Sequence, residues 1–312
     1  MGKYILRRLL QVIPTLWGVF TVLFVLAYLM PGDPLRAVLG EEYNRLDPEV
    51  IEATRERLGL NDPFHVRYLK FLGQMLSFDL GESQVHEESV AAIIGYRFPR
   101  TLQLMLGAMA VAVLIGLPAG MIAAEKQYTW IDHWLMIFAL VGVSMPVFWS
   151  ALLAQLVLTQ KPLAIFPVAG YAEGSIQYMI LPSLVLGAVY SATLARVTRS
   201  SMLEVKSQPY VTTARAKGLP YRVVLLRHQL RNALIPVITV ISLDIGGLLG
   251  GAIVTETVFN WPGLGRAIVP AILRRDTPVI LGILIFGAFL YVVINLVTDL
   301  IYAVVNPRIR YQ

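Results

Sequence analysis

The chain has 312 residues, 56% of them hydrophobic and 15% charged, with a net charge of +6 and a mean hydropathy of +0.65. This is too apolar for a soluble globular protein, and the positive charge does not indicate a nucleic-acid partner because the basic residues flank apolar runs. The sequence contains no cysteine, which excludes disulfides, thiolate zinc sites and cysteine nucleophiles.

Six long apolar runs predict six transmembrane helices. Each holds at most one charge and is long enough to cross a hydrocarbon core of about 30 Å at about 1.5 Å per residue. The runs are residues 9–32, 101–124, 134–160, 174–195, 232–255 and 277–298. The first run imitates a signal peptide, but it is too long for a signal h-region and no small-residue cleavage site follows. We therefore expect the first helix to be retained.

The distribution of basic residues predicts the orientation of these helices. With a cytoplasmic N-terminus, the inner short segments hold 14 Lys and Arg residues, against 4 in the outer short loops. We expect an N-terminal segment with the first helix (1–30), an extracytoplasmic helical loop (31–100) and a core of five helices (101–306). Both termini, including the tail 307–312, are expected in the cytoplasm.

Two Asp-Pro pairs in the extracytoplasmic loop, Asp47-Pro48 and Asp62-Pro63, predict helix starts. Apolar positions follow at helical spacing. They are Ile51, Thr54 and Leu58 in the first helix, and Phe64, Tyr68, Phe71 and Met75 in the second. These stripes predict a small helical layer that either covers the membrane helices or contacts an extracytoplasmic binding protein, and the sequence favours neither.

Residues 196–231 are the most basic stretch, with eight Lys or Arg residues against one acid, Glu204. Pro209 suits the start of a helix, Gly218 can adopt the positive φ that closes it, and Pro220 suits the start of a second helix. Two short helices around a glycine suggest a docking element within a cytoplasmic loop at 196–233. From composition alone, a solvated loop or a phospholipid contact explains this stretch equally well.

Two further features lie near the fifth run. Asp244 is its single charge, about 15 Å into the helix, where an ionised carboxylate costs about 2.5–3.5 kcal/mol. We hypothesise that Asp244 lines a path across the membrane; the alternative is a hydrogen bond to a neighbouring helix of this chain or of a partner chain. Beyond the run, Trp261 and Pro262 with the glycines that follow predict an interfacial anchor and a tight turn, then a short helix through Ile272.

Motifs of enzyme chemistry are absent from the sequence. No lysine lies in a G-x-x-x-x-G-K-[ST] context, so ATP binding through a P-loop is not expected. The four histidines are scattered and no G-x-S-x-G elbow occurs. Asp244 and Asp299 differ in depth by roughly 10 Å, which excludes an intramembrane aspartyl pair. We predict no catalytic residue, no metal site and no cofactor bound by this chain.

The basic stretch resembles the signature loop of the membrane subunits of bacterial ABC importers. That pattern is Glu-Ala-Ala, three residues, Gly, and later an apolar residue before Pro. It is matched by Thr212, Thr213, Ala214, Gly218, Ile235 and Pro236. Thr212 replaces the glutamate, so the family's carboxylate contact to the ATPase is not carried over. The form T-A-R-A-K-G-L is similar to the dipeptide, oligopeptide, nickel and glutathione class, and closest to the dipeptide permease subunit.

Other segments carry the same resemblance across nearly the whole chain. They begin at Pro31, Leu58, Phe259, Arg274 and Val305. The resemblance implies an all-α polytopic protein of the bacterial cytoplasmic membrane with the type I ABC importer permease fold. It implies a complex with a second homologous permease, two ATPase subunits that bind ATP and Mg²⁺, and an extracytoplasmic substrate-binding protein.

In such a complex this chain would form half of the translocation path for short peptides or a similar small solute, without catalysing a reaction itself. The resemblance assigns the coupling to the ATPases to six residues. They are Thr212, Thr213, Ala214, Arg215, Lys217 and Gly218. The alternative is a stand-alone ion-coupled secondary carrier, for which Asp244 is the one intramembrane ionisable group the sequence offers.

Overall fold

The computed structural model of the protein describes residues 2–29, 35, 43, 45–57, 59–83, 85, 88–160, 163–172 and 175–305. Within these ranges the chain is helical apart from turns and one isolated antiparallel bridge between Glu82 and Ser89. The predicted motif at 31–34, Leu58 of the first apolar stripe and the tail 307–312 lie outside the described residues.

Connections between the helices range from two residues, between α5 and α6, to eighteen, between α6 and α7. In chain order they are α1 (Gly2–Leu29), α2 (Pro48–Arg57), α3 (Phe64–Leu76), α4 (Val90–Glu125), α5 (Trp130–Ser144), α6 (Val147–Leu158), α7 (Gln177–Lys206), α8 (Pro209–Ala216), α9 (Tyr221–Val223), a π-helical segment (Val224–Leu230), α10 (Arg231–Val258), α11 (Leu264–Arg274) and α12 (Thr277–Val305). The predicted short helix ending near Ile272 is therefore confirmed as α11.

Five helices in the described part of the chain are long and apolar enough to cross a membrane. The predicted third span is broken instead of straight, because α5 and α6 meet at 107°. The break lies at Met145, which has an extended backbone (φ −85, ψ 125). Proline disfavours helical geometry at the residue before it, so Pro146 accounts for the break. The count reaches six if this bent pair is one span.

The chain folds into two compact units. The first contains the described residues up to Pro99 together with Gly263–Val293. The second contains Arg100–Pro262 and the end of α12 from Ile294.

In the first unit, the aromatic stripe of α3 faces membrane helices. Phe71 is buried with Phe24 of α1 and Ile285 of α12. The hydroxyl groups of Tyr68 and Thr21 are hydrogen-bonded at 2.6 Å, and the rings of Phe24 and Phe71 lie 5.3 Å apart. Both predicted helices of the extracytoplasmic loop are present as α2 and α3. The stripe packs on α1 and α12 through Tyr68, Phe71 and Met75, whereas Phe64 at its start is 44% exposed.

The second unit is built on close packing between α7 and its neighbours α4 and α10. On α4, Gly116 faces the backbone of Ser191, and on α7, Gly187 faces the backbone of Ala108; a Cβ at either glycine would collide with the opposite helix. Small residues at helix contacts allow the two backbones to come close together. Close packing increases the van der Waals attraction between helices, which matters in a membrane because lipid provides no hydrophobic driving force for their association. A buried cluster including Leu104, Leu186, Leu248 and Ala252 fills the centre.

Trp261 does not act as the predicted interfacial anchor. Its side chain is 2% exposed and belongs to the same buried cluster. The indole Nε1 donates a hydrogen bond to the carbonyl oxygen of Arg100 at 2.9 Å, and the ring meets Tyr171 edge to face at 5.1 Å. Because the indole N–H finds a backbone acceptor inside the protein, burial satisfies its polar group without interfacial water.

Arg199 belongs to the predicted basic stretch but is paired inside the helix bundle. Its Nε and one terminal nitrogen contact the two carboxylate oxygens of Asp132 at 2.6 and 2.7 Å. Asp132 also accepts a hydrogen bond from the backbone N–H of Tyr128 at 3.0 Å. This bidentate pair joins the start of α5 to α7, so Arg199 serves helix packing.

We expect Asp132→Ala to lower the thermal midpoint of the purified protein, because the substitution leaves Arg199 unpaired. The side chain of Arg199 is 24% exposed, so the loss should fall below the roughly 3–5 kcal/mol of a fully buried pair. The double variant Asp132→Ala/Arg199→Leu should recover part of the lost stability, because the second substitution removes the unpaired charge. Equal midpoints for the single and double variants, measured by fluorescence-detected size exclusion, would contradict this role.

Candidate functional site

The helix–glycine–helix element predicted in the basic stretch is present, but it begins later than expected. Residues 196–206 continue α7 as a regular helix. The element itself, here called the basic loop, comprises residues 207–230. Pro209 occupies the first turn of α8, Gly218 has φ +73, and Pro220 precedes α9. The predicted positive φ at Gly218 is thus confirmed. The second helix does not end in solvent; it passes through the π-helical segment directly into α10.

One face of α8 is buried within the chain. Val211, Ala214 and Val224 are 0%, 5% and 2% exposed and form one apolar cluster with Val205. This cluster holds α8 against the π-helical segment. The small Ala214 side chain therefore packs inside the loop and lets α8 lie close to that segment.

The other face of the basic loop is open to solvent. The predicted residues Thr212, Thr213, Arg215, Lys217 and Gly218 are all exposed. Large apolar side chains lie beside them. Leu219, Tyr221 and Leu226 are 38%, 58% and 53% exposed. A basic surface with exposed leucine and tyrosine side chains has the composition of a protein contact site, where aromatic and Arg side chains are enriched.

A carboxylate that sequence reasoning missed lies beneath this surface. Glu125, the last residue of α4, accepts a hydrogen bond from the hydroxyl of Tyr221 at 2.6 Å and lies 3.8 Å from Nζ of Lys206. Gln229 is 1% exposed. With its amide oriented to satisfy both neighbours, it donates to Glu125 at 3.3 Å and accepts from Arg215 at 3.0 Å. Nothing in the sequence near Glu125 indicates these contacts, because its three partners and Arg215 all come from beyond residue 200.

Asp244 lies in α10 and is half-buried. It is close enough to Tyr190 on α7 for an electrostatic interaction, and the ring of Tyr190 lies against Gly247 and Gly251 on the following turns of α10. Within the described part of the chain, the Asp244 carboxylate has no hydrogen-bond or ion-pair partner. The alternative of a hydrogen bond to a neighbouring helix of this same chain is therefore not supported. The side chain of Asp299 lies outside the description.

A second acidic side chain was overlooked at the end of α10. Glu256 is fully buried, but it follows the apolar run 232–255 directly and is therefore not a charge within that run. No group of three or more His, Asp or Glu side chains among the described residues is arranged to hold a metal ion.

Comparison with solved structures shows the fold. The MetNI methionine ABC transporter in inward-facing conformations superposes with a TM-score of 0.57 at 16% identity, covering 69% of this chain and 96% of that chain. An amino acid ABC transporter crystallised with histidines gives a TM-score of 0.52 at 19% identity, covering 70% and 94%. The predicted ABC importer permease fold is thereby confirmed.

Sequence relatives match over the full length of both chains. The dipeptide transport system permease protein DppB of Alkalihalophilus pseudofirmus is 41% identical, and the glutathione transport system permease protein GsiC of Escherichia coli is 43% identical. The di/tripeptide transport system permease protein DppB of Pseudomonas aeruginosa is 42% identical. The alternative of a stand-alone secondary carrier finds no support among these relatives.

Two family profiles cover nearly the whole sequence. Residues 1–105 match the N-terminal region of binding-protein-dependent transport system membrane components. Residues 116–311 match the binding-protein-dependent transport system inner membrane component. This chain therefore belongs to the family of inner membrane permease components of binding-protein-dependent ABC importers.

Proposed function

We propose that this permease pairs with a second homologous permease and two ATPase subunits to import short peptides delivered by an extracytoplasmic binding protein. The observation that carries the proposal is the basic loop, a helix–glycine–helix element with one buried face and one exposed face. ATP and Mg²⁺ are bound by the ATPase subunits, and this chain supplies the path and the docking surface.

The docking surface consists of the exposed residues Thr212, Thr213, Arg215 and Lys217 with the turn at Gly218. Ala214 contributes from beneath, since its burial against Val224 fixes the angle of α8. The loop continues into α10, a membrane-crossing helix, without a flexible connection. A push on the loop by a closing ATPase dimer is thus passed to α10 as a rigid-body movement.

The peptide substrate is proposed from two independent observations. Relatives at 41–43% identity are named for dipeptides, di/tripeptides and glutathione, all small peptides with a free amino group. Asp244 supplies a carboxylate without a hydrogen-bonded partner among the described residues. At its depth in the membrane the free energy of inserting a charge is unfavourable, and ionisable residues found there commonly have a function. A negative charge lining the path would favour the passage of an ammonium group.

Uptake into proteoliposomes tests the proposed function. The chain is reconstituted with the second permease, the ATPases and the binding protein, and radiolabelled alanyl-alanine is supplied outside. We expect uptake with ATP on the ATPase side and none with a proton gradient alone. Ion-driven uptake by vesicles lacking the ATPases would contradict the proposal.

The orientation gives a separate prediction, because the chain has no native thiol. Ala53→Cys in α2 and Ala169→Cys between α6 and α7 should react with a membrane-impermeant maleimide in intact cells, whereas Ser207→Cys should not. All three positions are exposed in the fold. Because the α5–α6 pair must cross the membrane for Ala169 to lie outside, labelling of Ser207→Cys but not Ala169→Cys would show that the bent pair is re-entrant.

A further inference from the structure

Glu125 occupies a position where a helix disfavours its charge. It is the last residue of α4, and the unsatisfied carbonyl groups at a helix C-terminus carry negative partial charge, so an acidic residue there is destabilising. Its side chain is only 17% exposed. Burial therefore removes most of the water that would otherwise screen the charge of the carboxylate. The position therefore calls for compensating partners.

Those partners come from different parts of the basic loop and its base. Lys206 lies at the end of α7, Tyr221 at the start of α9 and Gln229 in the π-helical segment. Gln229 also accepts from Arg215 on α8. One carboxylate thus links α4 to every helical piece of the loop, directly or through a single side chain.

The apolar contact beneath this network does not fix the position of the loop relative to α4. Ala124 packs with Met202 and Ala233 in a buried cluster that also touches Leu225 and Leu230. Apolar contacts are non-directional and allow helices to slide. Hydrogen bonds to a charged carboxylate have a defined geometry and are roughly twice as strong as neutral ones, so they fix the register of the loop.

We propose that Glu125 is a positioning residue that fastens the basic loop to α4, so that displacement of the loop moves α4 as well as α10. The proposal rests on the proposed function, since it concerns how the movement of the docked ATPases is transmitted. Without Glu125, the loop remains continuous with α10 but keeps only the non-directional apolar contact with α4 at Ala124, and ATP hydrolysis then moves only part of the helix bundle.

Distances between spin labels test the fastening directly. Labels at Lys126→Cys and Arg222→Cys, both exposed, report the separation between the end of α4 and the start of α9 in the whole complex. With Glu125 intact, we expect one narrow distance distribution that is the same without nucleotide and with ATP bound. In Glu125→Ala the distance distribution should broaden, and its mean should shift when ATP binds. Tyr221→Phe removes only one of the hydrogen bonds to Glu125, so it should broaden the distribution less than Glu125→Ala does.

Transport gives the second readout. In Glu125→Ala, the alanyl-alanine taken up per ATP hydrolysed should fall by about tenfold, within the usual range of coupling between sites, while the ATPases still co-purify. Glu204→Ala is the matched control, because Glu204 is an exposed acid at the end of α7 and should behave like the unmodified chain in both assays.

An unchanged narrow distribution in Glu125→Ala, with or without nucleotide, would overturn the proposal. If the ATPases do not co-purify with the unmodified chain, the proposed function fails. The nucleotide-free distribution still tests the fastening in that case, because both labels and all the contacts of Glu125 described here lie within this chain.

Discussion

Gly218→Val should leave the permease inserted and assembled but should separate ATP hydrolysis from transport. Gly218 has φ +73, and a Cβ added there would meet no atom within 4 Å. The free-energy cost of the substitution therefore comes from the backbone conformation and is about 1–2 kcal/mol for a residue with a Cβ. The β-branched side chain of valine raises this cost further. The chain escapes this strain by changing the turn between α8 and α9, which tilts the docking face.

The expected measurement is uptake per ATP hydrolysed in proteoliposomes, which should fall by about tenfold in Gly218→Val. Gly218→Asn should stay near the unmodified value, because asparagine tolerates the left-handed region. Gly95→Val is the matched control, since Gly95 lies in α4 with open space around it and no positive φ. Equal coupling in Gly218→Val and Gly95→Val would show that this turn does not transmit the movement.

Asp244→Asn should slow the uptake of peptides with a free amino group while sparing N-acetylated ones. The substitution keeps the shape and hydrogen-bonding capacity of the side chain and removes its charge, so only an electrostatic role is lost. A tenfold change in rate corresponds to about 1.4 kcal/mol, well within what a unit charge at close range supplies at an effective dielectric constant of about 20. We expect a loss of about that size for alanyl-alanine relative to its N-acetyl form.

Asp244→Leu separates this role from a structural one. If Asp244→Asn transports both peptides equally well and Asp244→Leu fails to assemble with the second permease, the carboxylate serves as a hydrogen-bond acceptor between subunits. That outcome would remove Asp244 from the path. Gly250→Ala provides the control, because it lies on the same helix in open space and carries no charge.

Local backbone chemistry was predicted well from the sequence. The starts of α2 and α3, the positive φ at Gly218 and the helix after Gly263 all follow from proline and glycine, whose effect is confined to their immediate neighbours. The break at Met145 belongs to the same class. Hydropathy alone does not reveal this break, because the run 134–160 is uninterrupted by charge; the local signal is Pro146 within it.

Contacts between distant segments could not be predicted in this way. An indole near a membrane surface is equally suited to the interface and to burial. Trp261 is buried because the Arg100 carbonyl oxygen lies where it can accept the hydrogen bond of the indole N–H. In the sequence, Arg199 is one of eight basic residues in the stretch 196–231, and only the fold shows that α5 places Asp132 beside it. The network joins Glu125 to partners that lie at least 80 positions further along the chain, so no local pattern reveals it.

Purification of the tagged chain from its native membranes in a mild detergent tests the central claim most directly. We predict that a second permease and ATPase subunits co-purify with the unmodified chain, and that the isolated complex hydrolyses ATP faster when the binding protein and alanyl-alanine are added together. A chain that purifies alone, with no ATPase subunit, and that takes up alanyl-alanine on a proton or sodium gradient would contradict it.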